Sequence, residues 1–312
     1  MSELKIPSAQ INSDVQLSHL LSIFIFYKKF ILLTTAIFSS CALLFGLMSP
    51  NIYQSNAIFE AEIAFDGDGG SSSSGISGAF SEMAGISMAG TSGNMANLAT
   101  ATISSRDFFK HLIDTDEAFL PKLVAVKKYD SNSREIVYDS DKYNSSKNIW
   151  VNEPPSYIQA YSAYQKAISI DVSRKTGFIT ITSKHKSPIV AAYFIDLIFT
   201  ETNSIMRKRD LDEAQASLDY LYIQLNSVNQ QDVLNTISGL IGSQLRKLTL
   251  ANIKENYLLD PIDSSFIPEY KVSPKRLQIL LVGTLLGLIT SLISVTIWYF
   301  GLRPLKEKKS IS

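Results

Sequence analysis

The sequence offers few side chains whose type and spacing suit catalysis. Glu60 and Glu62 alternate along a predicted strand, which could pair two carboxylates for acid–base chemistry but is more typical of a surface strand. His111 and His185 have no recognisable nucleophile as a partner. Glu201 lies in an apolar helical stretch, where an ion pair between helices is the more common role. We therefore expect no enzymatic activity.

Metal, cofactor and nucleic-acid sites are also disfavoured. The chain has one cysteine, Cys41, and three histidines, so a thiolate or histidine-rich metal centre is not expected. No G-x-x-x-x-G-K-[ST] phosphate-binding motif occurs. With 29 basic and 29 acidic side chains the formal net charge is zero, which gives no reason to expect a nucleic-acid partner. We expect no cofactor.

Two uncharged stretches near the ends of the sequence predict transmembrane helices. Residues 30–50 and 277–302 are each long enough to cross a hydrocarbon core of about 30 Å. The flanking tails, 1–29 and 303–312, carry 7 basic and 3 acidic residues, whereas 51–276 carry 22 and 26. The positive-inside rule therefore predicts two spans, with both termini cytoplasmic and the large middle part outside.

The middle part mixes strand and helix signals. Strands are expected at about 53–65 and within 168–183, where a turn separates two alternating runs. Helices are expected at 97–111, with Ser104 or Ser105 as a cap, at about 115–126 and at 157–168, and 127–155 is expected to be a polar excursion. The Gly/Ser-rich stretch 66–94 holds 8 of the 15 glycines. It is either a flexible insertion or a mobile loop whose apolar residues, such as Phe80, pack on a neighbour.

A very long helical arm is predicted over about 187–259. Ser187 and Pro188 resemble a helix start, and no further proline occurs before Pro261. The arm carries a seam of apolar residues at coiled-coil spacing, with a break near 226–231. The seam residues expected to contact another copy are Leu211, Leu218, Leu221 and Leu225. The alternative is two ordinary helices of one chain packed against each other.

The basic cluster Arg207, Lys208 and Arg209 precedes three nearby carboxylates. We interpret it as a solvated, salt-bridged face that tolerates charge changes. Together these elements predict an α+β membrane protein. Two transmembrane helices would flank an α/β base domain that carries a very long extended helical arm.

A proline-containing motif precedes the second apolar stretch. Pro268 is followed by four residues and then Ser273, Pro274 and Lys275. Small residues then recur at helical spacing, which would let another helix approach closely. They are Gly283, Gly287 and Ser291. This pattern resembles the signature of Wzz-type polysaccharide co-polymerases, the O-antigen chain-length determinants. One proline usual in that family is absent, since Ser265 stands at its position.

The resemblance implies a function and a set of partners. It implies a non-catalytic, closed cyclic homo-oligomer in the bacterial inner membrane, with the middle part in the periplasm. This ring would set the chain length of a surface polysaccharide by acting on an integral-membrane polymerase, with the lipid-linked glycan as a further partner. The glycine face of the second span would dock the polymerase. The alternative is an adaptor in a capsule or exopolysaccharide export complex.

Overall fold

The computed structural model describes residues 24–61, 91–228 and 230–298. The described residues of 1–50 and 273–312 form one compact unit, and those of Asn51–Val272 form the other. In chain order the elements are α1 (Lys28–Met48), β1 (Tyr53–Ala61), α2 (Thr91–Ile103), α3 (Arg106–Thr115), α4 (Phe119–Val124), β2 (Val126–Asp130), β3 (Glu135–Tyr138), β4 (Tyr143–Asn144), β5 (Ile149–Trp150), α5 (Tyr157–Ala167), β6 (Ile168–Val172), β7 (Ile179–His185), α6 (Pro188–Ser227), α7 (Gln231–Ile253), β8 (Leu259–Asp263) and α8 (Arg276–Ile297).

The first unit is a pair of packed apolar helices, α1 and α8. Their sequences have the length and hydropathy of membrane spans. The 40-residue α6 also passes this test of length and composition, but half of its most apolar window is buried inside the second unit. The apolar side chains of α6 therefore already have a protein environment.

A four-stranded antiparallel sheet organises the second unit. The strand order is β6-β7-β1-β8. Alternate residues of β1 and β7 are buried, as expected when one face of a sheet packs on the core. On that face Phe59 pairs with Ile179 across the strands, and the N-terminal half of α6 covers it with Phe194 and Ile198.

Several predicted boundaries differ from the structure. The helix expected at 97–111 is two helices, α2 and α3, because the Ser105 hydroxyl accepts a hydrogen bond from the Phe108 amide and starts a new helix there. The polar excursion at 127–155 contains two small hairpins, β2–β3 and β4–β5. The Gly/Ser-rich stretch was expected to reach residue 94, yet α2 begins at Thr91. Residues 62–90, with Glu62 and Phe80, lie outside the described residues.

The predicted arm is a helical hairpin. α6 ends at Ser227, and α7 begins at Gln231 and returns along it, so the arm is about 60 Å long at most. The start of α6 also differs from the expectation. Ser187 occupies the N-cap position, but its side chain makes no capping hydrogen bond. Its backbone amide instead donates to His185 Nδ1 at 3.1 Å.

Candidate functional site

The glycine face of α8 packs directly on α1. A Cβ atom placed on Gly283 would overlap the Cβ of Ala42. At Gly287 it would lie 2.7 Å from the Phe38 Cβ and 3.2 Å from the Thr35 Cα. Distances this short are rare between real side chains. The absence of a side chain at both positions therefore allows the close approach of the two helices.

Polar side chains extend along the same interface. Thr284 Oγ1 lies 3.3 Å from Ser39 Oγ on the facing helix. Ser291 is buried, and its hydroxyl donates back to the Leu288 carbonyl. The predicted docking face is thus filled by α1 of the same chain. A polymerase would have to contact other surfaces of the pair, because this face is already covered.

The proline-containing segment before α8 is extended and is hydrogen-bonded to the start of β1. Ser55 Oγ donates to the Phe266 carbonyl at 2.6 Å and accepts from the Phe266 amide at 3.3 Å. The Val272 amide donates to the Ile52 carbonyl at 2.9 Å. Pro268 is buried in this segment. The structure therefore fixes the backbone of the segment through hydrogen bonds with the start of β1.

The last motif residues lie at the start of the helical unit. Ser273 and Lys275 are exposed, and Pro274 is half-buried. Lys275 is the N-cap residue of α8. The motif residues therefore lie in two places. Pro268 is in the extended segment, and Ser273, Pro274 and Lys275 are at the start of α8.

The apolar seam of the arm is covered within the chain. Leu218 is 3% exposed and forms a small core with Ile237 and Ile241 of α7. Leu221 and Leu225 pack around this core, and Leu211 packs against the main core of the unit. The expectation that these four leucines face another copy is corrected, because Leu218, Leu221 and Leu225 pack in the small core between α6 and α7, and Leu211 packs on the main core.

The hairpin also carries exposed apolar side chains. On α6 these include Tyr220 and Ile223, which are 62% and 67% exposed. On α7 they include Leu245 and Ile253, which are 44% and 75% exposed. Exposed apolar side chains of this size on one extended element are typical of a protein contact.

Arg207 closes the base of the hairpin. Its Nη2 donates to the carbonyls of Lys254 and Glu255, just past the end of α7, at 2.7 and 2.6 Å. Cations are stabilised at helix C-termini because carbonyl groups there lack helical partners. The prediction that Arg207 belongs to a solvated face is wrong, since it joins the two helices. Lys208 and Arg209 are exposed, as expected for that face.

A second set of contacts joins α6 to the chain that enters β8. The Asn203 Oδ1 accepts from the amides of Leu258 and Leu259 at 2.8 Å, and its Nδ2 donates to the Leu259 carbonyl at 3.0 Å. Asn203 is buried, so these three bonds satisfy groups that water does not reach.

Charged groups lie next to these contacts. Lys247 of α7 pairs with Asp210 and Glu213 of α6, with an N–O distance of 3.3 Å in each case. The Tyr257 hydroxyl donates to Asp210 at 2.6 Å. The pKa of Tyr257 is raised mainly by burial, and further by this hydrogen bond and charge. The base of the hairpin is thus a polar junction that fixes how the arm leaves the sheet.

Both histidines that the structure describes, His111 and His185, make contacts within the folded unit. His111 Nε2 lies 2.6 Å from a carboxylate oxygen of Glu201, so Glu201 forms the ion pair between helices that the sequence predicts. His185 is buried beside Phe194, and burial lowers its pKa to about 4, with the Lys186 charge as a second cause. At neutral pH His185 is therefore uncharged and accepts from the Ser187 amide.

A tyrosine ladder on α5 escaped the sequence analysis. The hydroxyls of Tyr157, Tyr161 and Tyr164 donate to the carbonyls of Arg106, Ser104 and Ile103, respectively. The Ile103 and Ser104 carbonyls belong to the break between α2 and α3, where helical partners are missing, and Arg106 is the first residue of α3. Spacing of four and three residues places the three tyrosines on one helix face, which is the signal that could have identified them.

The described residues do not assemble the ionisable groups into a metal site. Within the residues the structure describes, no group of three or more His, Cys, Asp or Glu side chains could hold a metal ion. Glu60 is exposed on β1. Tyr193 donates a hydrogen bond to Asp116, and Lys122 lies 3.7 Å from the centre of the Tyr193 ring, so these three side chains contact one another. These groups act in packing, and the features with functional potential are the helix pair and the hairpin.

Comparison with known proteins gives a limited result. No protein-family model matches the sequence, and no curated protein matches it. Among solved structures, the chain is similar to a full-length bacterial polysaccharide co-polymerase at 12% sequence identity and a TM-score of 0.42. The alignment covers 93% of this chain and 98% of that one.

Proposed function

We propose that this protein regulates the chain length of a bacterial surface polysaccharide, most simply the lipopolysaccharide O-antigen. It would do so without catalysis, by acting on an integral-membrane polymerase. The observation that carries the proposal is the Pro268 to Lys275 motif, which leads directly into a helix that packs on α1 through Gly283 and Gly287. An α/β unit with a long helical hairpin lies between the two helices in sequence.

The proposal includes a membrane arrangement. α1 and α8 would span the inner membrane, with both termini cytoplasmic and the unit Asn51–Val272 in the periplasm. The basic excess of the tails supports this orientation. The burial of the apolar residues of α6 supports two spans instead of three. In a Cys41→Ala background, a cysteine at Ser140 should react with an impermeant maleimide once the outer membrane is permeabilised. A cysteine at Ser312 should react only after lysis, and the opposite pattern would contradict the arrangement.

The proposal also includes a closed ring of identical subunits. The exposed apolar side chains of the hairpin, among them Tyr220, Ile223 and Ile253, support association through the hairpins. Ile223→Asp should then shift the detergent-purified protein to smaller particles in mass photometry. Leu218→Asp should instead unfold the hairpin, because Leu218 lies in its core. An Ile223→Asp protein with unchanged particle mass would place the subunit contact elsewhere.

The proposed function is tested by measuring the length distribution of the polymer made by a strain that lacks the gene. Loss of a length regulator should broaden or shift the length distribution of the surface polysaccharide while polymer still reaches the surface. Re-expression of the protein should restore the distribution. Polymer trapped inside the cell would instead favour the export adaptor. An unchanged distribution with normal export would contradict both roles.

A further inference from the structure

A shallow apolar groove runs beside the contact between α1 and α8. Its walls come from both helices, and Gly283 is one of its lining residues. The groove is lined by Phe38, Cys41, Phe45, Gln278, Val282 and Leu286, among others. Val282 and Leu286 are 57% and 50% exposed, so the helix pair leaves both side chains partly uncovered. In a membrane this surface contacts either lipid or another helix.

The length and charge of the groove favour one occupant. From Lys275 to Leu286 the helix rises about 16 Å, which is close to half of a hydrocarbon core of ~30 Å. Positions 275, 278, 282 and 286 share one face of α8 by their spacing of three and four residues. An exposed cation, Lys275, therefore lies three residues before Gln278, the first groove residue of α8, and the distance from Lys275 to the far end of the groove is about one leaflet.

The electrostatic surroundings of Lys275 support the same occupant. Residues 24–50 and 273–298, the described part of the helical unit, contain no aspartate or glutamate. Basic residues at the level of the headgroups attract the negative charge of anionic lipids. The groove supplies the apolar contact for a chain, and Lys275 supplies the charge for a phosphate.

We propose that this groove binds one anionic phospholipid, with its phosphate at Lys275 and one acyl chain along Val282 and Leu286. The proposal rests on the two-span arrangement, which places Lys275 in the outer leaflet of the inner membrane. A lipid seated there would cover the side of the helix pair next to Gly283.

The test uses the full-length protein in detergent with equimolar phosphatidylglycerol and phosphatidylcholine, and counts retained lipids by native mass spectrometry. The natural protein should retain phosphatidylglycerol about fivefold over phosphatidylcholine, the preference expected of one basic residue. Lys275→Gln should bring this ratio close to one. Val282→Trp should lower retention of both lipids because it fills the groove. Leu277→Trp, which changes a residue that is 70% exposed outside the groove, is the matched control and should retain both.

Several results would overturn the proposal. Equal retention of the two lipids by the natural protein, or an unchanged ratio in Lys275→Gln, would remove the charge selectivity. Equal losses in Leu277→Trp and Val282→Trp would show that no groove is involved. Loss of oligomer mass in Val282→Trp with unchanged lipid retention would assign the groove to a helix of a second copy. Polysaccharide length is not measured here, so failure of the proposed function would leave these results unaffected.

Discussion

Replacing Gly287 by leucine should separate α1 from α8. A Cβ at this position would lie 2.7 Å from the Phe38 Cβ, whereas carbon atoms in ordinary contact lie about 3.5–4.0 Å apart. The helices must therefore move apart by roughly 1 Å for the Cβ alone, and further for the rest of a leucine. We expect a loss of about 1–2 kcal/mol of packing free energy, the scale of helix contacts in membranes. The docked population should fall by about five- to thirtyfold relative to the separated one.

A disulfide assay measures this change within one chain. The hydroxyl oxygens of Ser39 and Thr284 lie 3.3 Å apart, so cysteines at these positions should form a disulfide under mild oxidation. In a Cys41→Ala background the pair should close rapidly with Gly287 present. Gly287→Leu should slow closure by about tenfold, and Gly287→Ala should have a smaller effect.

The control adds volume on the exposed side of the same helix. Leu285 is 60% exposed, so Leu285→Phe should leave the rate of disulfide formation unchanged. Equal rates for Gly287→Leu and the natural residue would refute the reasoning, because they would show that the glycine face does not hold the helices together. A similar slowing in Leu285→Phe would point to a general effect of added volume.

Three further substitutions test the second unit by chemical unfolding. Asn203→Ala should lower the free energy of unfolding by about 3 kcal/mol or more, because it leaves three buried backbone groups without their partner. Arg207→Ala should cost about 1–3 kcal/mol, because two carbonyls at the end of α7 lose a charged donor. His185 has a pKa of about 4 in the folded protein, below its ordinary 6.5, so its contribution is present above pH 6.5 and is lost as pH falls towards 4. Between pH 7 and 5 this loss should be about 2 kcal/mol, and His185→Gln should abolish it.

Each of these substitutions has a matched control. Asn252 is exposed and bonds only within its own helix turn, so Asn252→Ala should change stability by less than about 0.5 kcal/mol. Arg209→Ala should be similarly mild because Arg209 is exposed. His111→Gln should keep the pH dependence assigned to His185. If Asn203→Ala lowered the free energy of unfolding no more than Asn252→Ala does, the role assigned to Asn203 would be contradicted. If the His185→Gln protein still lost about 2 kcal/mol on acidification, the role assigned to His185 would be contradicted.

Local patterns in the sequence predicted much of the fold because they depend on neighbouring residues. The alternation in 168–183 predicted β6 and β7, and the apolar stretches predicted α1 and α8. The break near 226–231 was also visible, since the apolar spacing is interrupted there. These signals arise from periodicity within a few turns or strand residues.

Contacts between distant residues could not be predicted in the same way. A coiled-coil seam such as that around Leu218 has the same spacing whether its partner is α7 or another copy. The role of Arg207 depends on the path of the chain 47 residues later, at Lys254. For Gly287, small-residue spacing predicted a helix contact, but only the structure identified α1 as the helix in contact.

Under the proposed function, this protein sets polymer length without making polymer. Membrane vesicles from a strain lacking the gene would be supplied with a labelled sugar donor, with and without the purified full-length protein inserted. We expect the protein to change the length distribution of the labelled polymer while the total sugar incorporated stays nearly constant. Incorporation that rises with added protein while the length distribution stays fixed would contradict the proposed function, because it would indicate a catalytic or transport role.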